Sequence, residues 1–297
     1  MMLYKYRGCG QRTWEVLINR KLYFATAAQL NDPLDSSIDI VGEYERARQI
    51  VAQSNDHPDG RKSFLLWLLD TRTFTDRHTN KKLTLNQLMQ RFLADVGILS
   101  FSKTATDALL WSHYSEGHRG ICLAFESELL NLPNVYIKGS VTYVDEPPYA
   151  KLFVELSEEL GEFVRPWDED AEVDHEEYER KADEFYGRQL SLLARANLLV
   201  KSQKWAYEQE YRYVKVEPGA HPFDPRALRE VICGTKVSGT DQETLANLLR
   251  HPDFAHVVVR QVRNVEGSFD FSIAAPGASK EARPDGDPKV PNPGSRG

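Results

Sequence analysis

Apolar positions recur with two different periods along this chain of 297 residues, and the switches between the periods outline its elements. Leu3–Tyr6 reads as a short aromatic strand. Gln11–Arg20 then sets Trp14, Leu17 and Ile18 at i, i+3 and i+4, a helical face, and Lys21–Ala25 returns to strand, so the chain is expected to open β-α-β. After the turn at Asn31-Asp32-Pro33, Phe64, Leu65, Leu68 and Leu69 share one helical face and Leu85, Leu88, Met89 and Phe92 another. This predicts a helical insertion over about 40–96. Gly97–Ser102, Gly120–Phe125 and Val135–Val144 are rich in β-branched and aromatic residues and read as strands, with a helix around Trp111 between the first two. A long helix over Tyr178–Val200 follows. Glu208–Val216, Glu230–Cys233, Val257–Val262 and Ser268–Phe271 supply further strands, with a helix near Gln242–Arg250. The pattern predicts one α+β domain over 1–272, built on a mixed, mostly antiparallel sheet with inserted helices.

Composition changes the picture at two places. Residues 273–297 hold five Pro, four Gly and no aromatic residue, too little apolar surface to offset the entropy of ordering, and read as a disordered tail. The formal charge of −7 is concentrated: residues 155–184 carry fourteen Asp and Glu against three basic residues, a local −11 that leaves +4 for the rest of the chain. An acidic insertion is thus expected over about 150–184, serving solubility or screening a cationic cleft elsewhere.

No apolar run approaches the roughly 18 residues of a membrane-spanning helix, and no secretory signal precedes the first strand, which points to a cytoplasmic protein without a membrane partner. Cys9, Cys122 and Cys233 are odd in number and widely spaced, as expected of reduced structural thiols, and they form no metal-binding pattern. His113 and His118, five apart and without a suitably spaced third donor, do not make a metal pair.

Four clusters carry candidate chemistry. Leu30-Asn31-Asp32-Pro33-Leu34-Asp35 follows a strand; it is either a turn made by Asx and Pro geometry or a loop aiming Asp32 or Asp35 into a cleft. Trp111 to Gly120 puts Trp111 and Tyr114 on one helical face, His113 on another, and His118 in a turn bracketed by glycines. Lys201 to Tyr213 contains an E-x-E-x-R pattern in which Glu208, Glu210 and Arg212 would share one face of a strand over 207–214. It is either a solvated charged face or carboxylates held for chemistry, with Lys201 and Lys204 able to meet phosphates. Last, Tyr4, Lys5, Tyr6 and Arg7 with Tyr23 and Phe24 can stack a flat ring and hold a phosphate, or be core tyrosines beside exposed bases.

Taken together, Leu3-Tyr4-Lys5-Tyr6-Arg7, Leu22-Tyr23-Phe24, Asn31-Asp32-Pro33-x-Asp35, Leu99-Ser100-Phe101-Ser102, Trp111-x-His113-Tyr114, Gly120-x-Cys122-Leu123-x-Phe125, Lys201 and Trp205-x-x-Glu208-x-Glu210-Tyr211-Arg212 resemble the bacterial family known as domain of unknown function 2971, over roughly residues 1–235. A more distant likeness is to ADP-ribosyltransferase folds. It implies an early strand, a helix and a second aromatic strand that bind NAD, and a later strand presenting a glutamate that holds a ribose hydroxyl and stabilises an oxocarbenium-like transition state. The likeness departs at the first motif, where the usual His or Arg is absent unless Lys5 or Arg7 stands in for it.

The expectation is therefore an ADP-ribosyltransferase-like effector, in the manner of a toxin or phage-defence protein, that takes NAD as substrate, uses no metal and modifies a macromolecule. Glu210 and Glu208 would be catalytic, and Tyr4, Lys5, Tyr23, His113, His118, Lys201 and Arg212 would bind the donor. The alternative is a non-enzymatic module that binds nucleic acid or protein. A third reading, hydrolysis of a phosphoester by His113, His118 and Asp32, gains nothing from spacing, and the chain lacks a phosphate-cradling glycine-rich loop.

Overall fold

A computed structural model describes residues 1–37, 39–55, 59–71, 73–75, 81–169 and 175–274. In chain order the elements are β1 (Met2–Arg7), α1 (Gln11–Asn19), β2 (Lys21–Phe24), α2 (Ile40–Gln53), α3 (Asp59–Thr71), the hairpin β3 (Thr73–Thr75) and β4 (Lys82–Thr84), α4 (Leu85–Asp95) and β5 (Val96–Ser102). Then come α5 (Ala108–Tyr114), β6 (Ile121–Glu126), β7 (Val135–Ser140), β8 (Thr142–Val144), α6 (Tyr149–Glu169), α7 (His175–Leu199) and β9 (Val200–Ser202). The chain finishes with β10 (Glu210–Val216), β11 (Gly219–Pro222), β12 (Leu228–Cys233), α8 (Gly239–Leu248), β13 (Val258–Asn264) and β14 (Phe271–Ile273). This is an α+β fold.

Eight strands form the main sheet in the order β14-β13-β12-β6-β1-β5-β10-β7, antiparallel except where β12 runs parallel to β13. Opposed residues of an antiparallel pair share a face, so the register sorts the side chains. Tyr4 opposes Ser102, which opposes Glu210, and Ser100 opposes Arg212; all of these lie on the face covered by α5 and α7. Leu3, Phe101 and Tyr213 lie on the other face, in one core with Val16 and Leu17 of α1 and Leu245 of α8. Lys5 alternates with Tyr4 and so belongs to this α1 side.

One junction of the sheet is incomplete. β1 pairs with β6 over six residues, but with β5 only at Tyr4 and Ser102. Further along β5, the edge is taken by the end of β2, where Ala25 and Ile98 exchange both backbone hydrogen bonds at 2.9 and 2.7 Å. β2 itself pairs with β11 rather than with the main sheet. Between these two points β1 and β5 diverge, and the sheet forks.

Several expected boundaries move. Val135–Val144 is two strands, because the chain leaves β7 after Ser140 and β8 pairs in parallel with β9. The strand expected from 207 begins only at Glu210, since Gln203–Glu208 is a 3₁₀ turn ending on Gln209 in the left-handed region at φ 45°. The described part of the acidic stretch is helical, in α6 and α7. Phe153, Leu156 and Leu160, spaced for one helical face, join Ile40, Ala47, Val51, Leu65 and Leu193 in a second core. Described acids of the pair meet bases at the surface, as in Arg188 with Glu159 at 2.8 Å and Arg61 with Glu162 at 3.0 Å. The end of α7 packs Leu198 and Leu199 on Ile98, Ile137 and Val214, which delivers β9 and Lys201 to the sheet. Residues 275–297, most of the expected tail, lie outside the described residues, whereas Ile273 is in β14 and Ala274 donates its N–H to the Gln261 carbonyl. No described helix is long and apolar enough to cross a membrane, and the three cysteines are free thiols.

Candidate functional site

The fork in the sheet is the mouth of a cleft of about 880 Å³. On the α5 and α7 face its lining includes Tyr4, Ser100 and Ser102 from the sheet, Tyr114 from α5 and Asp35 from the loop after β2. Lys201, Trp205, Glu208 and Glu210 complete that floor. Because β1 and β5 part here, the Ser100 carbonyl has no partner strand on that side. It accepts instead from the Lys5 ammonium at 2.7 Å, reaching across from the α1 side of the sheet.

The floor is a compact charge network. Arg212 is fully buried. Its Nη1 donates to Asp35 Oδ1 at 2.9 Å and to the Leu198 carbonyl at 2.9 Å, while its Nη2 donates to Asp35 Oδ2 at 2.5 Å and to Glu210 Oε2 at 2.7 Å. A two-pronged guanidinium grip of this kind fixes both carboxylates in place. Lys201 Nζ lies 2.6 Å from Glu208 Oε2, 3.4 Å from Asp35 Oδ2 and 3.7 Å from Glu210 Oε2. Three acids thus share two cations, with Lys5 as a third cation at the edge.

The local geometry explains how two glutamates two residues apart both reach this point. The left-handed Gln209 ends the 3₁₀ turn, so Glu208 enters from the turn and Glu210 from the first residue of β10. The Glu210 backbone N–H donates to the Tyr143 hydroxyl at 2.8 Å, and Tyr143 is paired with Lys201 across β8 and β9. The two glutamates differ in what remains of them. Glu208 is engaged at both oxygens: Oε1 accepts from the Tyr114 hydroxyl at 2.5 Å and Oε2 from Lys201. Glu210 is held through Oε2 by Arg212, while its Oε1 accepts no hydrogen bond among the described residues.

Protonation follows from the same contacts. Burial pushes the Asp35 pKa up, but the hydrogen bonds and charge of Arg212 and the charge of Lys201 outweigh it, so the carboxyl titrates below its usual range. Burial pulls Lys201 down, and Glu210, Glu208 and Asp35 more than restore it, leaving its pKa raised. Tyr114 is pushed up by burial and by its bond to Glu208, so it stays a donor. Lys5 behaves differently: burial and then the charge of Arg7 lower it to about 8, against a weaker pull from Glu210.

Of the residues singled out in the sequence, Tyr4, Lys5, Tyr23, Lys201, Glu208 and Glu210 line the cleft. Arg212 lies behind its floor. His113 and His118 are not among the lining residues. His113 packs near Tyr114 and Tyr207. His118, at φ 69°, closes the turn after α5, with its N–H on the Trp111 carbonyl, its Nε2 against Ser112 Oγ at 3.3 Å and its ring stacked on Trp111. Both aspartates of the first loop line the cleft as well: Asp32 accepts from Leu34 N–H at 2.9 Å, and Asp35 enters the network. Tyr114 and Trp205, inside candidate clusters but without an assigned role, and Arg12 and Lys21, outside them, also line the cleft. No described residue of α6 or α7 lines it.

The fold and site define an α+β protein with a polar, aromatic-lined cleft at a fork in its main sheet. Residues 110–213 match the model of a family described as "Protein of unknown function (DUF2971)". That stretch carries Tyr114, Lys201, Glu208 and Glu210 of the cleft floor and Arg212 behind it, and is narrower than the resemblance read from the sequence, which also took in β1, α1 and β2. No curated protein and no solved structure matches the chain.

Proposed function

We propose that the cleft binds NAD and that the protein transfers ADP-ribose from it to an acceptor on a macromolecule, with Glu210 as the catalytic carboxylate. The observation that carries this reading is the asymmetry of Glu210: one oxygen is clamped by Arg212 while the other is an unused acceptor in a cleft that also holds Tyr4 and Trp205. When the bond from the ribose anomeric carbon to nicotinamide breaks, positive charge develops on the sugar. A preorganised carboxylate that accepts from a ribose hydroxyl then stabilises that charge. Nicotinamide departs with the bonding electron pair, and the acceptor nucleophile forms the new bond to the same carbon and loses its proton. In this reading Glu208 is a positioning residue, since both of its oxygens are occupied by Tyr114 and Lys201. Tyr4, Tyr23 and Trp205 offer ring faces to the donor's bases.

The test is incubation of the purified protein with NAD labelled in its adenylate half and with cell extract, for wild type and Glu210→Gln. Label should pass to a macromolecule with the wild type and fall by a factor on the order of a hundred or more with the variant, the loss typical of one transition-state partner. Absence of NAD binding and turnover in the wild type refutes the reading. So does salt-sensitive binding of RNA, DNA or protein that ignores Glu210 and is accompanied by no transfer, the behaviour of a binding module.

A further inference from the structure

The cleft continues through the fork to the α1 side of the sheet, where its walls are Lys5 and Arg7 of β1, Arg12 and Glu15 of α1, and Lys21 of β2. Four cations meet one carboxylate there. Glu15 accepts from Gln11 Nε2 at 2.8 Å. Among the described residues none of the four cations forms an ion pair. Lys5 donates to the Ser100 carbonyl, and Arg7 donates Nε to Thr13 Oγ1 at 3.1 Å and Nη2 to the Arg12 carbonyl at 3.1 Å. Arg12 and Lys21 carry no side-chain hydrogen bond to another described residue. The cations also feel one another: burial, and then Arg7, lowers Lys5, while burial, and then Arg12, lowers Arg7. An assembly of like charges that outnumbers its carboxylates and forms no ion pair in a concave wall is a poor device for stability and a good one for holding an anion.

We infer that this end of the cleft is a diphosphate subsite, formed by Lys5, Arg7, Arg12 and Lys21 on the α1 side of the sheet, so that a bound dinucleotide crosses the sheet through the fork between β1 and β5. The inference deepens the NAD reading and rests on it for the rest of the ligand. It gives the donor a direction: the ribose to be cleaved lies at Glu210 on one face, and the diphosphate beyond Lys5 on the other. Charge supports a diphosphate over a single phosphate, because the wall carries four positive charges against one negative. Guanidinium forks on two neighbouring elements also match two phosphoryl groups in series.

The experiment is calorimetric titration of the full chain with inorganic pyrophosphate, with orthophosphate and with ADP-ribose, for wild type, Arg12→Gln and Lys21→Gln. Both substituted side chains are exposed, so the fold is not at stake. Pyrophosphate is expected to bind the wild type more tightly than orthophosphate, to compete with ADP-ribose, and to lose about tenfold in affinity in each variant, the effect of one charged hydrogen bond. No binding of pyrophosphate by the wild type overturns the subsite, as do variants that bind it like the wild type. A single-stranded oligonucleotide that binds more tightly than ADP-ribose and is not displaced by pyrophosphate also overturns it. The two readings fail separately. ADP-ribosyl transfer without pyrophosphate binding sinks the subsite alone, whereas pyrophosphate binding without NAD turnover supports the subsite and sinks the reaction.

Discussion

Arg212→Met is the sharpest probe of the floor of the cleft. The substitution keeps an unbranched stem in the fully buried position and removes the donors that grip Asp35, Glu210 and the Leu198 carbonyl. Removing one partner of a buried ion pair costs about 3–5 kcal/mol, because the other partner is left charged in a poor solvent for charge. That is a large share of the roughly 5–15 kcal/mol that holds a domain folded. Lys201, 3.4 Å from Asp35, offsets part of the loss, so about 4 kcal/mol at pH 7 is expected. The sign with pH is set by Asp35. In the wild type Arg212 holds its pKa below the unfolded value of about 3.9, so its contribution is fully present above that pH and lost only as pH falls through the lower folded value. Without Arg212, burial dominates and the folded pKa rises above the unfolded one. The variant is then helped by proton uptake, and its deficit should shrink between pH 7 and pH 5. Urea denaturation at both pH values, followed by far-UV circular dichroism, measures this, with a midpoint drop on the order of 1 M at pH 7. Adding Asp35→Asn should restore stability, because the uncompensated charge is gone. A single variant within 1 kcal/mol of wild type at pH 7, on the order of the worth of a surface pair, refutes the reasoning, and so does a double variant less stable than the single one.

Two further outcomes are expected. Tyr114→Phe removes the hydroxyl that donates to Glu208 Oε1 at 2.5 Å. It should cost about 1–3 kcal/mol in urea unfolding while leaving pyrophosphate binding unchanged, since the hydroxyl belongs to the opposite face of the sheet from the cationic wall. Gly120→Ala would put a methyl group 2.1 Å from the Arg7 carbonyl oxygen and 2.9 Å from Gly8 Cα, both backbone atoms that cannot step aside. It should lower thermal stability by about 3 kcal/mol, read as a fall in melting temperature, whereas Gly187→Ala, with open space around it, should not.

What could be read from the chain alone divides along physical lines. Strands whose side chains pack on both faces, such as β5, β6 and β12, show themselves as apolar runs, and their ends were placed within about two residues. The acidic segment hid its structure, because Phe153, Leu156 and Leu160 form a one-sided stripe that a charge count ignores. Glu208 and Glu210 were legible as a pair but not as unequal partners. Alternation along an unbroken strand would put them on one face as equals, and only the left-handed Gln209 shows that one arrives from a turn and the other from the sheet. Asp35 was legible as a candidate but its partner was not, since Arg212 is 177 residues away. His118 was open to two readings from the sequence, a pocket residue or the cap of its helix. A histidine between glycines looks exposed and reactive, yet its backbone completes the turn and its ring is stacked on buried Trp111. Arg12 and Lys21 went unread because isolated bases on a helix and a strand are ordinary surface residues until the fold bends both elements around one opening.

The fork ties these observations together. A continuous β1–β5 ladder would have given Ser100 a backbone partner, sealed the sheet and kept Lys5 and Tyr4 on separate surfaces. By letting β2 take the edge of β5 at Ile98, the chain gives up several ladder hydrogen bonds, each worth about 1 kcal/mol net, and recovers one through the Lys5 ammonium. The Ser100 hydroxyl, buried at the fork without a hydrogen-bond partner among the described residues, adds to that cost. A fold tolerates such a defect where the opening itself is useful. Here the opening joins a carboxylate-rich floor to a cationic wall. A ligand that is cationic or hydroxyl-rich at one end and anionic at the other matches both only by passing between the strands.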